Sequence, residues 1–348
     1  MATSATASTE QAPEQRESRA RAARRRVNAQ VLGVYLALAV SWIALSIASP
    51  YFLTVDNIRN VLISASTLAL IGAGLTIVMV AGEIDLSVGA MQAFAGSIAA
   101  TFVITHGLPW PVGVVLALAF GTLAGAISGV VAVIGRLDTF ITTLAMLGIA
   151  QGTGFLLTGG QPVNGFPSDY GYIGNGLVGP IPIAVIIMLV AYVVLHVLLT
   201  QTEFGMRVYA VGGNRSAAVR VGIPSGRIVI AVLAMSGFLA AVAGVILTSR
   251  LDAGSGDYGG ADLLPAIAGV IIGGTSLTGG VGSLVGTFAG VLIVATINNG
   301  LTILNVQQFW QQVVVGIIIM FAVLIDQAAK GYISVGGLSI RPRRPKEE

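Results

Sequence analysis

Long apolar stretches alternate with short polar breaks along most of this 348-residue chain. A helix of about 20 apolar residues is long enough to cross the hydrocarbon core of a bilayer. The pattern therefore predicts an all-α, polytopic membrane helical bundle with about ten transmembrane helices. The predicted ranges are 31–49, 59–81, 88–105, 111–135, 139–158, 181–200, 228–249, 262–277, 284–304 and 309–327. The range 262–277 is short and contains Pro265, which favours a half-helix or a re-entrant segment.

Polar segments flank this apolar region at both ends. Residues 1–30 are rich in Ala, Ser, Thr, Gln and Glu and then in Arg, which predicts a disordered cytoplasmic tail. Residues 31–328 form the predicted membrane domain, and residues 329–348 form a cytoplasmic C-terminal tail. Only 9% of the residues are charged, whereas a soluble domain has about a quarter of its residues charged. We therefore expect a multi-pass membrane protein.

The distribution of basic residues predicts the orientation of the bundle. Sixteen of the eighteen Lys and Arg residues lie in the two tails, at Arg136 or in the loop 201–227. Basic residues concentrate on the cytoplasmic side of membrane proteins. This rule places both termini and the loop 201–227 in the cytoplasm, and only Arg59 and Arg250 on the other side.

The loop 201–227 is the one long polar segment between two membrane-length apolar runs. Asn214 is suited to cap a helix over 215–221, Gly222 to end it, and Pro224 to prevent its continuation. Helical spacing places three small side chains on one face: Ala217, Ala218 and Val221. We interpret the loop as a rigid projection that docks on another protein; the alternative is a basic loop that contacts only lipid headgroups and water. The candidate coupling residues are Glu203, Gly205, Gly212, Gly213, Asn214, Ala217, Ala218 and Gly222.

Two glycine-rich breaks interrupt the apolar runs, at residues 82–89 (GEIDLSVG) and 273–283 (GGTSLTGGVGS). Acidic residues in or near a membrane are candidates for function, so the first break is a candidate gate or hinge. The alternative is a tight cytoplasmic turn near the membrane interface, in which Asp85 or Ser87 caps the next helix. The similarity of LSVG to LTGG indicates either an internal repeat or two independent turns. The gate or hinge candidates are Glu83, Asp85, Ser87, Gly89, Gly273, Gly274, Thr278, Gly279 and Gly280.

Uncharged amide side chains cluster near the end of the predicted bundle. Asn298 and Asn299 lie inside a predicted span, and Gln307 and Gln311 flank Trp310. Amides offer donors and acceptors without a charge, which suits a pathway for a neutral polyol. The alternative is hydrogen bonding between helices. These four Asn and Gln residues are the pathway candidates.

Several chemistries are excluded by composition. The chain has no Cys and only two His, so thiolate and multi-histidine metal sites are excluded, and neither a metal nor a cofactor is expected. The only lysines are Lys330 and Lys346, so no phosphate-binding GxxxxGK[ST] loop exists. No catalytic residues are predicted, and the charge distribution does not indicate nucleic-acid binding. Energy for transport has to come from a partner or an ion gradient.

Four segments together resemble one known family: GEIDLSVGAMQAFAGSIAA, LTGGQPV, TEFGMRVYAVGGNRSAAVRVGI and AIAGVIIGGTSLTGGVGSLVGTFAGVLIVATINNGLTIL. They are similar to bacterial ABC-importer permeases of the ribose/xylose class, over nearly the whole chain after residue 30. The resemblance implies a second permease copy or paralogue, a cytoplasmic ATPase with two nucleotide-binding domains, and an extracytoplasmic sugar-binding protein. It also implies that residues 212–222 dock on the ATPase. Val221 stands where the family commonly has Ser, which leaves the backbone turn unaffected.

The resemblance implies alternating access, in which ATP hydrolysis in the partner moves the central loop and opens the path to one side at a time. Two alternatives remain open. An ion-coupled secondary transporter needs titratable groups at mid-membrane, of which this chain has few. A passive channel needs no docking loop.

Overall fold

The computed structural model describes residues 32–329, which are predominantly α-helical. The predicted tails, residues 1–30 and 329–348, lie outside this described range except for residue 329. The helices are α1 Leu32–Ala48, α2 Val55–Val80, α3 Val88–Ala100, α4 Trp110–Gly135, α5 Thr139–Thr158, α6 Ser168–Asn175, α7 Ile183–Gln201, α8 Glu203–Gly213, α9 Arg215–Arg220, α10 Ser225–Leu251, α11 Leu263–Ile272, α12 Leu284–Ile303 and α13 Gln308–Ala329. A π-helical turn, Thr101–Thr105, continues α3.

Within the described part of the chain, seven helices are long and apolar enough to cross a membrane: α2, α3 with its π-helical turn, α4, α5, α7, α10 and α12. Three further apolar helices are shorter, namely α1, Gly260–Ile272 and Gln308–Phe321. The prediction of an all-α, multi-pass bundle is confirmed. The number of crossings and the side of the termini stay predictions.

Helices α2 and α10 form the buried centre of the bundle. Helix α10 packs along α2, α3 and α4, and α2 also contacts α7, α11 and α12. The contact of α4 with α10 depends on Gly121, Gly125 and Gly129, which recur every four residues and share one helix face. A Cβ on Gly129 would lie 2.7 Å from the Cα of Ile230. Glycine is thus required for this close approach of two backbones.

Helices α3 and α11 run in opposite directions. Helix α3 is parallel to α10, α11 is parallel to α2, and α2 is antiparallel to α10. For α3 and α10 the contacts that fix the direction are Asp85–Ser236 and Gly96–Thr248. For α2 and α11 they are Gly72–Val270 and Val80–Gly280. For α2 and α10 they are Ser64–Arg250 and Gly74–Ser236.

Each of these two helices begins inside the protein after a stretch of non-helical backbone. Residues 83–87 precede α3 and run along α5, where Thr139 and Thr143 bind the backbone N–H groups of Ile84 and Leu86 at 3.3 and 3.2 Å. Residues 252–259 precede the short 3₁₀ turn Gly260–Asp262 that leads into α11. Helix α11 has only 10 residues, which agrees with both structures expected near 262–277, a half-helix or a re-entrant segment.

One pair of small strands links the segment between α5 and α7 to the end of α10, and a second pair lies within the segment. Strand β1 (Val163–Asn164) pairs antiparallel with β4 (Ala253–Gly254), and β2 (Leu177–Val178) pairs antiparallel with β3 (Ile181–Pro182). The Tyr170 hydroxyl lies 2.6 Å from Thr248 Oγ1, and its ring stacks on Phe166. The segment is therefore packed against the bundle, at the end where the C-termini of α5 and α10 lie.

Candidate functional site

Helix α9 has the caps that its sequence predicts. The Asn214 side chain accepts a hydrogen bond of 2.9 Å from the Ala217 N–H. Gly222 has a positive φ of 84°, and its N–H donates to the Val219 carbonyl. The next N–H, of Ile223, donates to Ala218, which completes the double hydrogen bond that ends many helices at a glycine. The predicted capped helix is confirmed and ends at Arg220, one residue earlier than expected.

The three small residues of this helix do not share one environment, so the prediction of a common face is wrong. Ala218 is 4% exposed and packs into the core, whereas Val221 is 77% exposed. Ala217 is half-buried. The Val221 N–H still donates to the Ala217 carbonyl as in a continuing helix, so the difference comes from what the fold packs against each residue and not from the spacing. The exposed apolar side chains at this end are Val219 and Val221.

Four glycines bring the loop 201–227 into contact with both glycine-rich breaks. We call this cluster of Gly82, Gly212, Gly279 and Gly280 the glycine junction. The Gly280 N–H donates to the Val80 carbonyl at 2.9 Å. A Cβ on Gly212 would overlap that same carbonyl oxygen, and a Cβ on Gly279 would lie 2.7 Å from the Cα of Gly82. Side chains at these positions would separate α8 from the end of α2.

Glu83 joins the first break to α9 through an ion pair. Its Oε1 lies 2.8 Å from Arg215 Nη1, and its Oε2 accepts a hydrogen bond of 2.7 Å from Thr139. The Glu83 side chain is 8% exposed, whereas that of Arg215 is 52% exposed. Burial raises the pKa of the Glu83 carboxyl, although the Thr139 hydrogen bond and the Arg215 charge act in the opposite direction. Movement of α9 is thereby linked to the segment before α3.

Asp85 lies deep in the bundle. One carboxylate oxygen accepts from the Ser87 N–H and hydroxyl, and the other accepts from the Ser236 hydroxyl at 2.7 Å. Ser236 is eleven residues beyond the start of α10, which at 1.5 Å per residue is roughly 16 Å along the helix. The interpretation of residues 82–89 as a tight turn near the interface is therefore wrong. Ser87 occupies the N-cap position of α3, but its side chain makes no capping hydrogen bond.

A cavity of about 850 Å³ opens where α3 and α11 begin. Its floor includes Gly89, Gly260 and Leu263, and its walls come from α5, α10, α12 and α13. The polar side chains that line it are two carboxylates, one phenol and five amides: Asp257, Asp262, Tyr258, Gln151, Asn298, Gln308, Gln311 and Gln312. None of the lining residues is Lys, Arg or His. Such a lining suits a neutral ligand with many hydroxyl groups.

The pathway candidates are divided by the structure. Asn298 and Gln311 line the cavity. Asn299 instead exchanges two amide hydrogen bonds with Asn57, at 2.9 and 3.2 Å, which clamps α12 to α2. Gln307 is exposed and lies outside the cavity lining.

The remaining candidates have local structural positions. Gly205 packs against the Leu199 backbone, where α7 turns into α8, and Gly273 packs against the Gly286 backbone. Glu203 forms an exposed ion pair with Arg207 on α8. The other candidates are Gly213, which is exposed beside Gly280, Gly274, which has a positive φ of 89°, and Thr278, which is exposed and bonds Ser276.

Sequence reasoning missed several residues that surround Glu83 and Asp85 or that form or support the cavity. They are Thr139, Ser236, Gln92, Gln151, Asp257 and Asp262. Two of them carried a signal, because Asp257 and Asp262 lie in a glycine-rich stretch just before a short apolar segment. Thr139, Ser236, Gln92 and Gln151 come from other helices, and only the packing brings them to the sites.

Comparison with known proteins gives one family. A family model described as "Branched-chain amino acid transport system / permease component" matches residues 57–323. A ribose import permease protein of Bacillus subtilis (strain 168) is 42% identical over 300 residues, which cover 86% of this chain and 93% of the relative. A ribose import permease protein of Haemophilus influenzae is 39% identical over 296 residues, 84% of this chain and 91% of the relative.

A xylose transport system permease protein of Escherichia coli (strain K12) is 34% identical over 342 residues, and the match covers 80% of this chain and 86% of the relative. No solved structure matches this chain significantly.

Proposed function

Because this chain belongs to the family of permease components of branched-chain amino acid transport systems, we propose that it is the membrane-spanning permease of an ATP-driven importer of a neutral monosaccharide. The substrate class rests on the relatives named as ribose and xylose permeases. The cavity supports the same class, since it offers carboxylates and amides but no cation to its contents. The chain is a transport subunit, and ATP is hydrolysed by a partner.

The observation that carries the mechanism is the glycine junction together with the Glu83–Arg215 ion pair. These contacts connect the loop 201–227 to both glycine-rich breaks. In our proposal, an ATPase that docks on this loop moves α8 and α9. The ion pair transmits the movement to residues 83–87 and thus to the start of α3, at the floor of the cavity. The breaks are the hinges of alternating access.

The proposed docking surface is the exposed side of the loop 201–227. It includes Glu203, Gly213, Asn214, Ala217 and Gly222 from the sequence candidates. Gly205, Gly212 and Ala218 have a different proposed role, because they are packed against the membrane domain. They hold α8 and α9 in position for the ATPase.

The proposed assembly contains a second permease copy or paralogue, a cytoplasmic ATPase with two nucleotide-binding domains, and an extracytoplasmic sugar-binding protein. The permease crosses a bacterial inner membrane ten times with both termini in the cytoplasm. The seven long and three shorter apolar helices support this count. The concentration of Lys and Arg in the tails, at Arg136 and in the loop 201–227 supports the orientation.

Reconstitution tests the proposal. The permease is incorporated in proteoliposomes with its ATPase and binding protein, and uptake of labelled ribose and xylose is measured with and without ATP. We expect uptake of at least one sugar that requires both ATP and the ATPase. Uptake by the permease alone, driven by an ion gradient or by the sugar gradient, would establish one of the two alternatives: a secondary transporter or a passive channel.

A further inference from the structure

The floor of the 850 Å³ cavity is formed where two opposed helices begin. The first turns of α3 and α11 meet, and a Cβ on Gly89 would lie only 2.8 Å from the Gly259 carbonyl oxygen and 3.4 Å from Leu263 Cβ. The first N–H groups of a helix lack partners within the helix and carry a partial positive charge. At α11 the Asp262 N–H already donates to the Gly259 carbonyl and Pro265 has no N–H, so the backbone donors at the floor come chiefly from the first turn of α3.

Side chains at the floor add acceptors. Asp262 is the residue just before α11 and lines the cavity. Behind it lies Gln92, which is 1% exposed and faces the Asp262 carboxylate. The two polar atoms of the Gln92 amide have no other hydrogen-bond partner. An amide buried without its full set of hydrogen bonds is costly, so this pair is suited to an additional polar ligand beside it.

The walls complete a site for hydroxyl groups. Gln151 extends from α5 on one side, and Asn298 on α12 and Gln312 on α13 contribute amides on the other. Hydroxyl groups both donate and accept, so they match a mixture of carboxylates, amides and backbone N–H groups. A sugar phosphate carries an anionic group, which would be placed between the carboxylates of Asp257 and Asp262 with no Lys, Arg or His side chain in the lining to pair it.

We propose that the permease itself binds one neutral monosaccharide in this cavity, with Asp262 and Gln151 as hydrogen-bond partners of the sugar hydroxyls. The site lies between the two non-helical segments, so movement of residues 83–87 changes its floor. The proposal rests on the proposed function and adds that selection of the sugar occurs in the membrane as well as in the binding protein.

Protection from thiol labelling tests direct binding. The chain has no cysteine, so Ala261→Cys introduces a single thiol in the cavity lining. The control is Val178→Cys, on the exposed strand β2 outside the cavity. In the purified permease–ATPase complex without binding protein, we expect ribose or xylose to slow labelling of Ala261→Cys by a small polar thiol reagent at least about threefold. Labelling of Val178→Cys should stay unchanged.

Substitution of the proposed contacts provides the second measurement. Gln151→Met keeps the side-chain volume but removes the amide, and Asp262→Asn removes the charge. In the Ala261→Cys background, each should raise the sugar concentration needed for half-protection by roughly 3- to 10-fold, because Gln151→Met removes a hydrogen bond and Asp262→Asn replaces a charged acceptor with a weaker neutral one. Gln307→Met, on an exposed glutamine outside the cavity, should leave that concentration unchanged.

The two proposals fail in different ways. If the wild-type complex imports ribose or xylose but neither sugar protects Ala261→Cys, the cavity site is wrong and the proposed function stands. The same conclusion follows if Gln151→Met and Asp262→Asn leave the sugar concentration needed for half-protection of Ala261→Cys unchanged. If the wild-type complex imports neither sugar with ATP, the proposed function is wrong and the cavity site falls with it.

Discussion

At the scale of single residues, two ion pairs of the same chemical type differ in what they connect. Glu83 and Arg215 join residues 132 positions apart in sequence, and the Glu83 side chain is 8% exposed. Glu203 and Arg207 are one helical turn apart, and both side chains are well exposed. Exposed pairs of the second kind contribute about 0–1 kcal/mol. The first pair is therefore the one to test, and its control has to come from outside the proposed docking surface, to which Glu203 belongs.

We expect Glu83→Gln to lower sugar uptake by about tenfold, which corresponds to ~1.4 kcal/mol. The amide still accepts from Thr139 but no longer attracts the Arg215 guanidinium, so α9 loses its charged link to residues 83–87. The measurement is the amount of sugar imported per ATP hydrolysed by the reconstituted complex. The control is Asp56→Asn, which removes the exposed partner of an ion pair with Arg59 outside the proposed docking surface and should import normally. Equal import by both variants would show that the buried pair does not transmit movement.

At the scale of helices, close backbone contact decides how α8 meets α2. Gly212 and Gly213 are adjacent at the end of α8, yet a Cβ at Gly212 would overlap the Val80 carbonyl oxygen, while a Cβ at Gly213 has nothing within 4 Å. Sequence alone assigned the two glycines the same role. Periodicity cannot distinguish them, because the difference lies in what the rest of the fold places beside each one.

This difference gives a matched pair of variants. We expect Gly212→Ala to separate α8 from α2. The thermal stability of the purified permease should fall, since overpacking typically costs about 1–3 kcal/mol. Sugar uptake should fall at least about fivefold. Gly213→Ala adds the same methyl group to open space and should leave the thermal stability near wild type. Its uptake is not used as a control, because Gly213 belongs to the proposed docking surface. Thermal unfolding and uptake are measured side by side. A Gly212→Ala protein as thermally stable as Gly213→Ala would contradict the glycine junction.

The same scale explains which elements the sequence anticipates. Helix α9 is local: Asn214, Gly222 and Pro224 specify its ends within a dozen residues, and the structure confirms them. The first break is not local. Residues 83–87 leave the helical conformation because α5 supplies threonine hydroxyls to their backbone and Ser236 binds Asp85. No pattern within the segment distinguishes that arrangement from a surface turn.

At the scale of the whole molecule, the orientation in the membrane can be tested with the same cysteine-free background. Ser216→Cys lies on α9, and Val178→Cys lies on β2 near the opposite ends of α5 and α10. The basic residues predict that α9 is cytoplasmic. We expect a membrane-impermeant thiol reagent to label Val178→Cys in cells with a permeable outer membrane. Ser216→Cys should be labelled only after the inner membrane is opened, and the reverse pattern would invert the topology.

The sequence by itself determined the properties that depend on composition and local pattern. Apolar length and scarce charge specify a multi-pass helical bundle, since the bilayer accepts little else, and cap residues specify α9. Tertiary structure alone decided where buried polar groups find partners. Glu83 pairs with Arg215, Asp85 accepts a hydrogen bond from Ser236, and Asp262 lies at the cavity floor. Each arrangement exists because helices distant in sequence pack together there. In a nonpolar interior a polar group must find a partner, and that partner can come from any helix.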